Sequence, residues 1–396
     1  MNVLWSILIP ALIALLSTTW IYPYLLKVAL EKNIVDNPDA RKLQRVPVPV
    51  MGGLTVVFGI MAGIMSFKYL GSFYDMFPTF AAIIIIMIVG FIDDTISLSP
   101  KVKLSAEIIL ILYIMMVSDT QICNFHGLWG LTIIPEYVSI PLTIFACVGV
   151  INAINLIDGV DGYSSGFTIV SCILLSILFF YIGNIRMATL AIIVSSSLIP
   201  FFLHNVFGKD SKMFIGDAGT LSLGIIFSIF VINILSTYPQ ETSIDANLGI
   251  VPFTLAVMCV PVFDTVRVMI MRMIRKKSPF SADKTHLHHL FITLGFSHFG
   301  TTLSIIGINM LVVLCWYLAY KIGWSIETQL YIVVAMGILI TFVFYPITQW
   351  HIRHESKVYH ILHNIGLQTQ VTNCSAWMKL QHIVDASMTR NIKKIS

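Results

Sequence analysis

Residues 77–94 read FPTFAAIIIIMIVGFIDD, an apolar run that ends in two adjacent acids. In a lipid bilayer every backbone polar group must be satisfied within the segment, so an apolar run of this length predicts a transmembrane helix. Asp93 and Asp94 then fall at the edge of the bilayer. An acid in that position costs free energy unless it binds something, which makes the pair a candidate for function.

The composition extends this interpretation to the whole chain. Of the 396 residues, 57% are hydrophobic and 11% are charged, whereas a soluble globular chain carries roughly a quarter charged residues. The mean hydropathy is +0.87. Most of the chain is therefore expected in lipid, and the small formal net charge of +4 gives no indication of nucleic-acid binding.

Apolar runs recur along almost the full length and predict an all-α, polytopic integral membrane protein. We expect one transmembrane domain over residues 1–349 and a tail over residues 350–396. In the tail, Trp377, Leu380, Ile383 and Val384 suggest an amphipathic stretch that packs on the domain or on the membrane surface. Hydropathy gives about eleven spans, near residues 3–26, 50–67, 77–92, 102–118, 137–152, 163–183, 187–204, 218–236, 249–271, 300–320 and 327–349.

Positive charges set the predicted orientation. Alternate connections between the spans are rich in Lys and Arg, whereas the remaining connections carry little beyond Lys68, Arg186 and Lys321. The positive-inside rule places the rich set in the cytoplasm, the N-terminus outside and the tail from Trp350 inside. The rich set consists of Lys32, Arg41, Lys42, Arg45, Lys101, Lys103, Lys209, Lys212, Arg272, Arg275, Lys276, Lys277 and Lys284.

Three aspartate-bearing stretches fall together on this predicted cytoplasmic side. They hold five of the 20 Asp and Glu residues and read GFIDD at 90–94, NAINLIDGVDG at 152–162 and FIGDAG at 214–219. Their glycines allow the backbone to approach a ligand closely. Because Mg²⁺ takes one or two carboxylates together with phosphate oxygens, we expect these stretches to form one Mg²⁺–phosphate site on one membrane face.

The Asp93–Asp94 pair ends the third predicted span. Two neighbouring carboxylates repel each other, which favours a bound cation or a shared proton. The alternative is a pair of helix-end acids solvated by water, but the macrodipole disfavours anions at a helix C-terminus. Lys101 and Lys103 follow, and they are either phosphate ligands or ordinary cytoplasmic cations.

Asn155, Asp158 and Asp161 recur at three-residue spacing in the second stretch. If the segment is helical they share a face, whereas Gly159 and Gly162 make an irregular turn an equal alternative. An amide and two carboxylates together suit the edge of a uracil and the hydroxyls of a ribose.

Asp217 lies at the start of the eighth predicted span. It is either the N-cap of that helix or, if its side chain points into a cleft, a metal ligand. Phe214 lies three residues before it and could stack on a base, although such a residue commonly faces lipid or the core.

A histidine-rich segment follows the ninth predicted span. His286, His288 and His289 could bind zinc, but no Cys lies near them, so phosphate binding beside Lys284 is the preferred hypothesis. Two further acids lie in or near apolar spans. We expect Glu107 to pair with a loop cation and Asp264 to orient Arg267 or Arg272.

Taken together, these motifs resemble a known family, the polyprenyl-phosphate N-acetylhexosamine-1-phosphate transferases. Its members are membrane enzymes of bacteria and archaea that load a phospho-sugar from a UDP-sugar onto a lipid phosphate. Any one motif is a weak indication, but the combination is specific. The matching stretches are Pro49 to Gly53, Gly90 to Asp94 with Lys103, Asn152 to Gly162, Phe214 to Gly219, Pro261 to Asp264, and Asp283 to His289.

The resemblance implies roles for the three acids that match the family's catalytic positions. Asp93 matches the residue proposed to deprotonate the lipid phosphate, and Asp94 matches its acidic partner near the metal. Asp217 matches the direct ligand of Mg²⁺, with Mn²⁺ as an alternative metal. Direct attack by the lipid phosphate and a covalent aspartyl-phosphate intermediate both remain open.

The resemblance also implies a set of substrate-binding residues. Asn155, Asp158 and Asp161 match the nucleoside pocket, and Phe214 matches the residue that stacks on uracil. The three histidines match a loop near the phosphates. The full set expected to bind substrate is Asn155, Asp158, Asp161, Phe214, Lys103, Arg45, His286, His288 and His289.

Two departures from one branch of the family bear on the sugar donor. The branch that makes the peptidoglycan lipid carries three consecutive histidines and a Lys-x-Gly-Thr-Pro entry to its first motif. Here these positions read His-Leu-His-His at 286–289 and Arg-Val-Pro-Val-Pro at 45–49. The departures point away from a MurNAc-pentapeptide donor and towards a simpler UDP-N-acetylhexosamine. UDP-GlcNAc is the preferred candidate.

The implied reaction converts a UDP-sugar and undecaprenyl phosphate into undecaprenyl-diphosphate-sugar and UMP. It would be the first membrane step in making a cell-envelope glycan, such as a cell-wall polymer, lipopolysaccharide or another polysaccharide. The resemblance places the enzyme in the bacterial cytoplasmic membrane with its active site facing the cytoplasm, and it leaves a homodimer open.

Two other classes of protein compete with this interpretation. An ion-coupled transporter also places acids in its spans, but near the middle of the bilayer in broken helices. A lipid-binding scaffold without enzymatic activity would need no acid pair beside Asp217. The clustering of acids at one face favours the enzyme.

Overall fold

The computed structural model describes residues 3–38, 46–66, 73–236, 245, 247–279, 285–372 and 374–395. Within these ranges the fold is α-helical, and its two short strands, β1 (Val35–Asp36) and β2 (Val48–Pro49), pair antiparallel. The helices are α1 (Val3–Glu31), α2 (Gly52–Ser66), α3 (Phe73–Ile96), α4 (Pro100–Ser118), α5 (Glu136–Leu156), α6 (Tyr163–Tyr181), α7 (Ile185–Phe207), α8 (Gly216–Ser236), α9 (Ile250–Val257), α10 (Cys259–Ile274), α11 (Leu287–Thr293), α12 (His298–Ile322), α13 (Ile326–Ile338), α14 (Tyr345–Arg353), α15 (Lys357–Gln368) and α16 (Ser375–Ile395). A 3₁₀ turn lies at Leu128–Gly130, and a π-helical segment, Leu339–Phe344, joins α13 to α14.

The predicted all-α membrane fold is confirmed, while the count of eleven spans stays a prediction. In the described part of the chain, eight helices are long and apolar enough to cross a membrane: α1, α3, α5, α6, α7, α8, α12 and the continuous α13–α14. The pair α9–α10 makes a ninth if it is one span, bent by 72°. The other two predicted spans correspond to α2, which has 15 residues, and to α4, which carries Lys101, Lys103 and Glu107.

Helix α8 lies at the centre of the bundle. Of the residues in its apolar window, 89% are buried, whereas the corresponding share for α1 is 28%. It packs against α2, α3 and α5. The N-terminal end of α8 is therefore surrounded by the ends of several other helices, and this is where the polar residues collect.

Glycines allow the helices to approach the start of α8 closely. A Cβ on Gly53 would lie 2.2 Å from the backbone nitrogen of Gly219, and one on Gly90 would lie 2.4 Å from the carbonyl oxygen of Asp217. Backbone hydrogen bonds fix the same contact, because Gly52 N donates to Phe214 O at 2.9 Å and Gly53 N to Ile215 O at 2.8 Å. The stretch Pro49 to Gly53 and the stretch Phe214 to Gly219 therefore lie side by side.

A tight connection turns the chain from α3 into α4. Ser97 has a positive φ of 60°, and the Ser99 side chain accepts a hydrogen bond from Val102 N as the N-cap of α4. Pro100 follows at the first helical position, where its missing N–H and fixed φ are favourable. This geometry brings Lys103, one turn into α4, back towards Asp93 at the end of α3.

The predicted amphipathic stretch of the tail is helix α16, which packs against α1 and α7. The Trp377 ring lies 4.8 Å from the ring of Phe207 and 5.6 Å from that of Phe299, measured between centroids. Val384 is buried, while Ile383 next to it is exposed. One face of α16 therefore rests on the helical bundle.

Candidate active site

Asp94 binds the N-terminus of the central helix. Its Oδ1 accepts a hydrogen bond from Asp217 N at 2.8 Å, and its Oδ2 accepts one from Ala218 N at 3.0 Å. A carboxylate at this position satisfies two of the amides that a helix leaves unpaired and interacts favourably with the positive end of its dipole. Asp94 of α3 thus supplies the carboxylate that caps α8. Asp217 is therefore not the N-cap of this helix, which was one of its two predicted alternatives.

Lys103 joins the two other acids of the cluster. Its Nζ lies 2.7 Å from Asp93 Oδ2 and 3.0 Å from Asp217 Oδ2. Of the two alternatives for Lys103, the structure therefore favours a role in the site over that of an isolated cytoplasmic cation. One ammonium group between two carboxylates offsets a repulsion that would otherwise act across the cluster.

Asn155 comes from the last turn of α5 and completes the cluster. Its Nδ2 donates to Asp217 Oδ1 at 2.9 Å and to Thr220 Oγ1 at 2.8 Å. The structure thus places this predicted nucleoside residue against the Asp217 carboxylate. We call Asp93, Asp94, Lys103, Asn155 and Asp217 the acidic cluster.

The two acids that follow Asn155 lie in a turn between α5 and α6, so the structure decides for the irregular turn over the shared helical face. Ser164 Oγ donates to Asp158 Oδ1 at 2.6 Å. Burial raises the pKa of Asp158 to about 7. Its surface is nevertheless exposed to the cavity that it lines, and water in that cavity offsets part of the shift.

Asp161 has two strong partners. Lys212 Nζ and His298 Nδ1 each lie 2.6 Å from its Oδ2. Burial raises the pKa of Asp161, but the hydrogen bond from His298 and the charge of Lys212 outweigh burial and leave the pKa below its usual value. Asp161 is therefore ionised near neutral pH, and it fixes the Lys212 and His298 side chains at one wall of the cavity.

A cavity of about 670 Å³ connects these residues. Asp217, Asp158 and Asp161 lie on its wall, and Lys212 and Phe214 belong to the same lining. The Lys212 Nζ lies 5.6 Å from the centroid of the Phe214 ring. The predicted stacking residue is half-buried and lines the cavity, so it does not face lipid.

The three histidines differ in their access to the cavity. We call Thr285–His289 the histidine segment. Only His289 lines the cavity, whereas His286 and His288 are 5% and 3% exposed. His286 Nδ1 lies 3.1 Å from Asp264 Oδ2, and Arg267 Nη2 lies 2.6 Å from Asp264 Oδ1. Asp264 therefore orients Arg267, as one of the two predicted alternatives, and it also binds His286.

His288 packs against the turn that carries Asp158. Its Nε2 would lie 2.2 Å from a Cβ on Gly159, so this contact requires glycine. Burial, followed by the neighbouring His289 and His286, lowers the pKa of His288 well below its usual value. His288 is thus neutral at physiological pH, and the expected strengthening of phosphate binding by protonation has no support at this residue.

Glu107 differs from its prediction. Its Oε2 accepts a hydrogen bond from Asn152 Nδ2 at 2.9 Å, and the residue is 3% exposed. The partner of this carboxylate on α4 is therefore an amide side chain of α5, in place of the expected loop cation. Two predicted positions lie outside the described residues, the binding residue Arg45 and the phosphate-binding Lys284.

The acidic cluster fits a hard divalent cation. Across the described residues, no three Asp, Glu, His or Cys side chains form a complete set of metal ligands. Mg²⁺ does not require one, because it takes one or two carboxylates and completes its shell with water and substrate phosphates. Asp217, which faces the cavity, and Asp93 already share a cation in Lys103. Both oxygens of Asp94 bind amides, and its role as a second ligand stays a prediction.

Some residues of the site carried no clear sequence signal. His298 begins α12, far along the chain from Asp161, and nothing near it in sequence resembles a motif. Asn205 binds two elements of the cavity at once, since Gly162 N donates to its Oδ1 at 2.7 Å and its Nδ2 donates to Met213 O at 2.9 Å. The signal in the sequence that could have identified Asn205 is its position as a single Asn in an apolar helix, because a buried amide side chain must find hydrogen-bond partners.

The fold and the site together define a polytopic membrane enzyme with an acidic centre at the ends of its helices. Residues 76–235 match the family model described as glycosyl transferase family 4. The chain is 32% identical over 294 residues to the "probable undecaprenyl-phosphate N-acetylglucosaminyl 1-phosphate transferase" of Bacillus subtilis, an alignment that covers 74% of this chain and 79% of the relative. The chain belongs to glycosyl transferase family 4, and the family predicted from its motifs is confirmed.

Two further relatives carry a closely similar name, "undecaprenyl-phosphate alpha-N-acetylglucosaminyl 1-phosphate transferase". The one from Yersinia pestis is 28% identical over 278 residues, which are 68% of this chain and 73% of the relative. The one from Escherichia coli K12 is 27% identical over 288 residues, which are 71% of this chain and 75% of the relative.

Proposed function

We propose that this protein transfers GlcNAc-1-phosphate from UDP-GlcNAc to undecaprenyl phosphate and releases UMP. The observation that carries the proposal is the position of Asp217. It lies on the wall of the 670 Å³ cavity and is bonded to Lys103, while Phe214 and Lys212 line the same cavity. Carboxylates, an aromatic ring and a cation in the lining of one cavity suit a nucleoside diphosphate. The names of the relatives support the same acceptor and sugar.

The proposed reaction exchanges one phosphoanhydride for another. An oxygen of the lipid phosphate attacks the β-phosphorus of UDP-GlcNAc and forms a new P–O bond. The bond from that phosphorus to the bridging oxygen breaks, and UMP leaves with the electron pair. Asp93 accepts the proton of the lipid phosphate where one is present, which leaves the attacking oxygen fully ionised.

The chain's own cations and helix ends stabilise the charge that moves in this step. Lys103 Nζ, held between Asp93 and Asp217, would stabilise the negative charge that develops on the transferring phosphoryl group. Asp217 would hold a Mg²⁺ ion, with Asp93 or Asp94 beside it, and the ion would neutralise part of the diphosphate charge. Asp94 fixes the position of Asp217 through the first amides of α8.

The nucleoside end of the cavity is proposed to bind uridine. Phe214 would stack on the uracil ring, and Asp161 with Lys212 and His298 would provide hydrogen bonds from a preorganised ion pair. The acids of the site lie at helix ends, at the C-terminus of α3 and the N-terminus of α8. A transporter would place them near the middle of the membrane.

The distribution of Lys and Arg supports a cytoplasmic site in a bacterial inner membrane. Thiol labelling of single-Cys variants in intact cells tests this orientation. A label applied from outside should reach Ser118→Cys, at the end of α4, and should not reach Lys277→Cys, which follows α10. The reverse pattern would place the site outside.

Turnover by the purified protein in detergent tests the reaction. Undecaprenyl phosphate, Mg²⁺ and a panel of labelled UDP-sugars are supplied, and UMP and the lipid-linked product are measured. We expect both products to form in equal amounts from UDP-GlcNAc. The absence of lipid-linked product from every UDP-N-acetylhexosamine, in a preparation that remains folded, would contradict the proposed function.

A further inference from the structure

The loop between α7 and α8 forms one wall of the cavity. Lys209, Asp210, Lys212 and Phe214 of this loop line it. The loop has no regular secondary structure between Gly208 and Ile215, so the positions of these side chains depend on what holds its backbone.

The C-terminal helix α16 holds that backbone from the side away from the cavity. Asp385 Oδ1 accepts hydrogen bonds from Ser211 N at 3.1 Å and from Ser211 Oγ at 2.7 Å. Lys209 N donates to both oxygens of the same carboxylate at 3.2 Å. One carboxylate thus accepts hydrogen bonds from three donors on two residues of the loop, Lys209 and Ser211, and two of these donors are backbone amides, as in an anion bound by a turn of backbone N–H groups.

Ser211 links this contact to the interior of the bundle. It is fully buried, its Oγ lies 3.0 Å from His204 Nδ1, and its carbonyl oxygen accepts a hydrogen bond from Tyr22 Oη at 2.8 Å. The rings of Tyr22 and His204 stack with centroids 4.4 Å apart. The centre of the loop is therefore clamped between Asp385 on one side and α1 and α7 on the other.

Aromatic packing sets the position of α16 itself. Trp377, two turns before Asp385, packs against Phe207, the last residue of α7, and against Phe299 near the start of α12. Because the loop begins directly after Phe207, the same helix controls both its first residue and its centre. Asp385 lies outside residues 76–235, the part of the chain that matches the family model.

We propose that Asp385 is a positioning residue for the nucleotide end of the cavity. It acts through the loop, by fixing the backbone that presents Lys212 and Phe214, and it does not touch the substrate. This role rests on the proposed function, which identifies the ligand as a uridine diphosphate-sugar. It gives the C-terminal tail a part in donor binding.

Steady-state kinetics of the full-length protein test this role. Asp385→Asn keeps the size of the side chain but removes its charge and leaves one oxygen to accept hydrogen bonds. We expect the KM for UDP-GlcNAc to rise about tenfold, while kcat and the KM for undecaprenyl phosphate change less than twofold. Asp385→Glu should restore part of the affinity, and His382→Gln, at an exposed position of the same helix, should match the wild type.

A merely structural role predicts a different result. If Asp385 only helped the protein to fold, the Asn variant would contain less active enzyme, so kcat would fall and the KM for UDP-GlcNAc would stay the same. That outcome would overturn the proposal, as would unchanged values for both constants.

Trypsin cleavage of the folded protein tests the same contact without any assumption about the substrate. Asp385→Asn should speed cleavage after Lys209 and Lys212 several-fold, and His382→Gln should not. If the wild type neither binds nor turns over UDP-GlcNAc, the proposed function fails, and cleavage alone decides the role of Asp385. An unchanged cleavage rate in the Asn variant would then overturn it.

Discussion

The acidic cluster and the histidine segment were both predicted from sequence, but the structure treats them differently. The cluster draws its residues from α3, α4, α5 and α8, and each side chain bonds to a residue of another helix. The histidine segment is continuous in sequence, yet two of its three imidazoles face into the protein. Residues that are far apart converge because glycines bring their backbones together. The histidine rings lie next to one another in succession, but only the last of them, His289, reaches the cavity.

The largest expected effect tests the acidic cluster as the catalytic centre. Asp217→Asn should lower kcat by roughly a thousandfold or more, because a lost metal ligand raises the barrier by several kcal/mol. The measurement is turnover against Mg²⁺ concentration, with the thermal midpoint in detergent as a control for folding. Wild-type turnover in a folded Asn variant would remove Asp217 from the chemistry.

A second substitution tests whether the two ends of the cavity act on different substrates. Asp93→Asn should lower kcat about a hundredfold or more, in the range of general acid–base catalysis, with a small change in the KM for UDP-GlcNAc. Phe214→Ala is the matched control and should show the opposite balance, since stacking on a base contributes about 1–3 kcal/mol to binding. If Asp93→Asn changed only KM and Phe214→Ala only kcat, the assignment of the two ends would be wrong.

The histidine segment should divide into two kinds of residue. His289→Gln, on the cavity wall, should lower kcat/KM about tenfold and leave the thermal midpoint unchanged. His286→Gln should lower the free energy of unfolding by about 1–3 kcal/mol, because it weakens a buried hydrogen bond to the Asp264 carboxylate. Equal effects of both variants on turnover would restore the three histidines as a functional group.

The smallest expected effect is a pH dependence that belongs to Asp158. Its pKa is about 7 in the folded protein and about 4 in the unfolded chain. The folded state therefore binds the proton more tightly, so the contribution of Asp158 to stability is present at low pH and declines as the pH rises through about 7.

Asp158→Asn should remove this dependence. The thermal midpoint of the wild type should fall relative to that of the Asn variant between about pH 4 and pH 7, and Asp161→Asn should not reproduce the effect. Parallel curves for the wild type and Asp158→Asn would show that the cavity hydrates this carboxylate fully.

The sequence identified the membrane fold and most of the acidic cluster because both leave local signals. Apolar runs such as residues 77–92 mark helices, and a carboxylate beside such a run has few reasons to be there other than binding. Gly90, three residues before Asp93, and Gly216, directly before Asp217, also indicated close backbone approach. The different roles of Asp94, which caps α8, and Asp217, which lines the cavity, could not be predicted from sequence. They depend on which carboxylate accepts the hydrogen bonds of the first backbone amides of α8.

Other parts of the site needed the three-dimensional structure. His298 contacts Asp161 only because α12 begins against the turn after α5, and Asp385 reaches the cavity loop because α16 folds back over α7. A sequence separation of 137 residues in the first contact and 174 in the second leaves no periodicity to detect. Glu107 was assigned a cation because buried acids usually have one, and an amide from α5 satisfies it instead.

The bonds from Asp94 to the start of α8 also set an order of assembly during synthesis. Asp94 is made with α3, but the amide of Asp217 follows 123 residues later. At about 5–20 residues per second, the carboxylate waits roughly 6 to 25 s for its partner. During that interval α3 has entered the membrane with two acids at its end and no helix N-terminus to receive one of them. Insertion of α8 between helices that are already in place is therefore the step that completes the acidic cluster, and a ribosome that stalls before residue 217 leaves α1 to α7 without it.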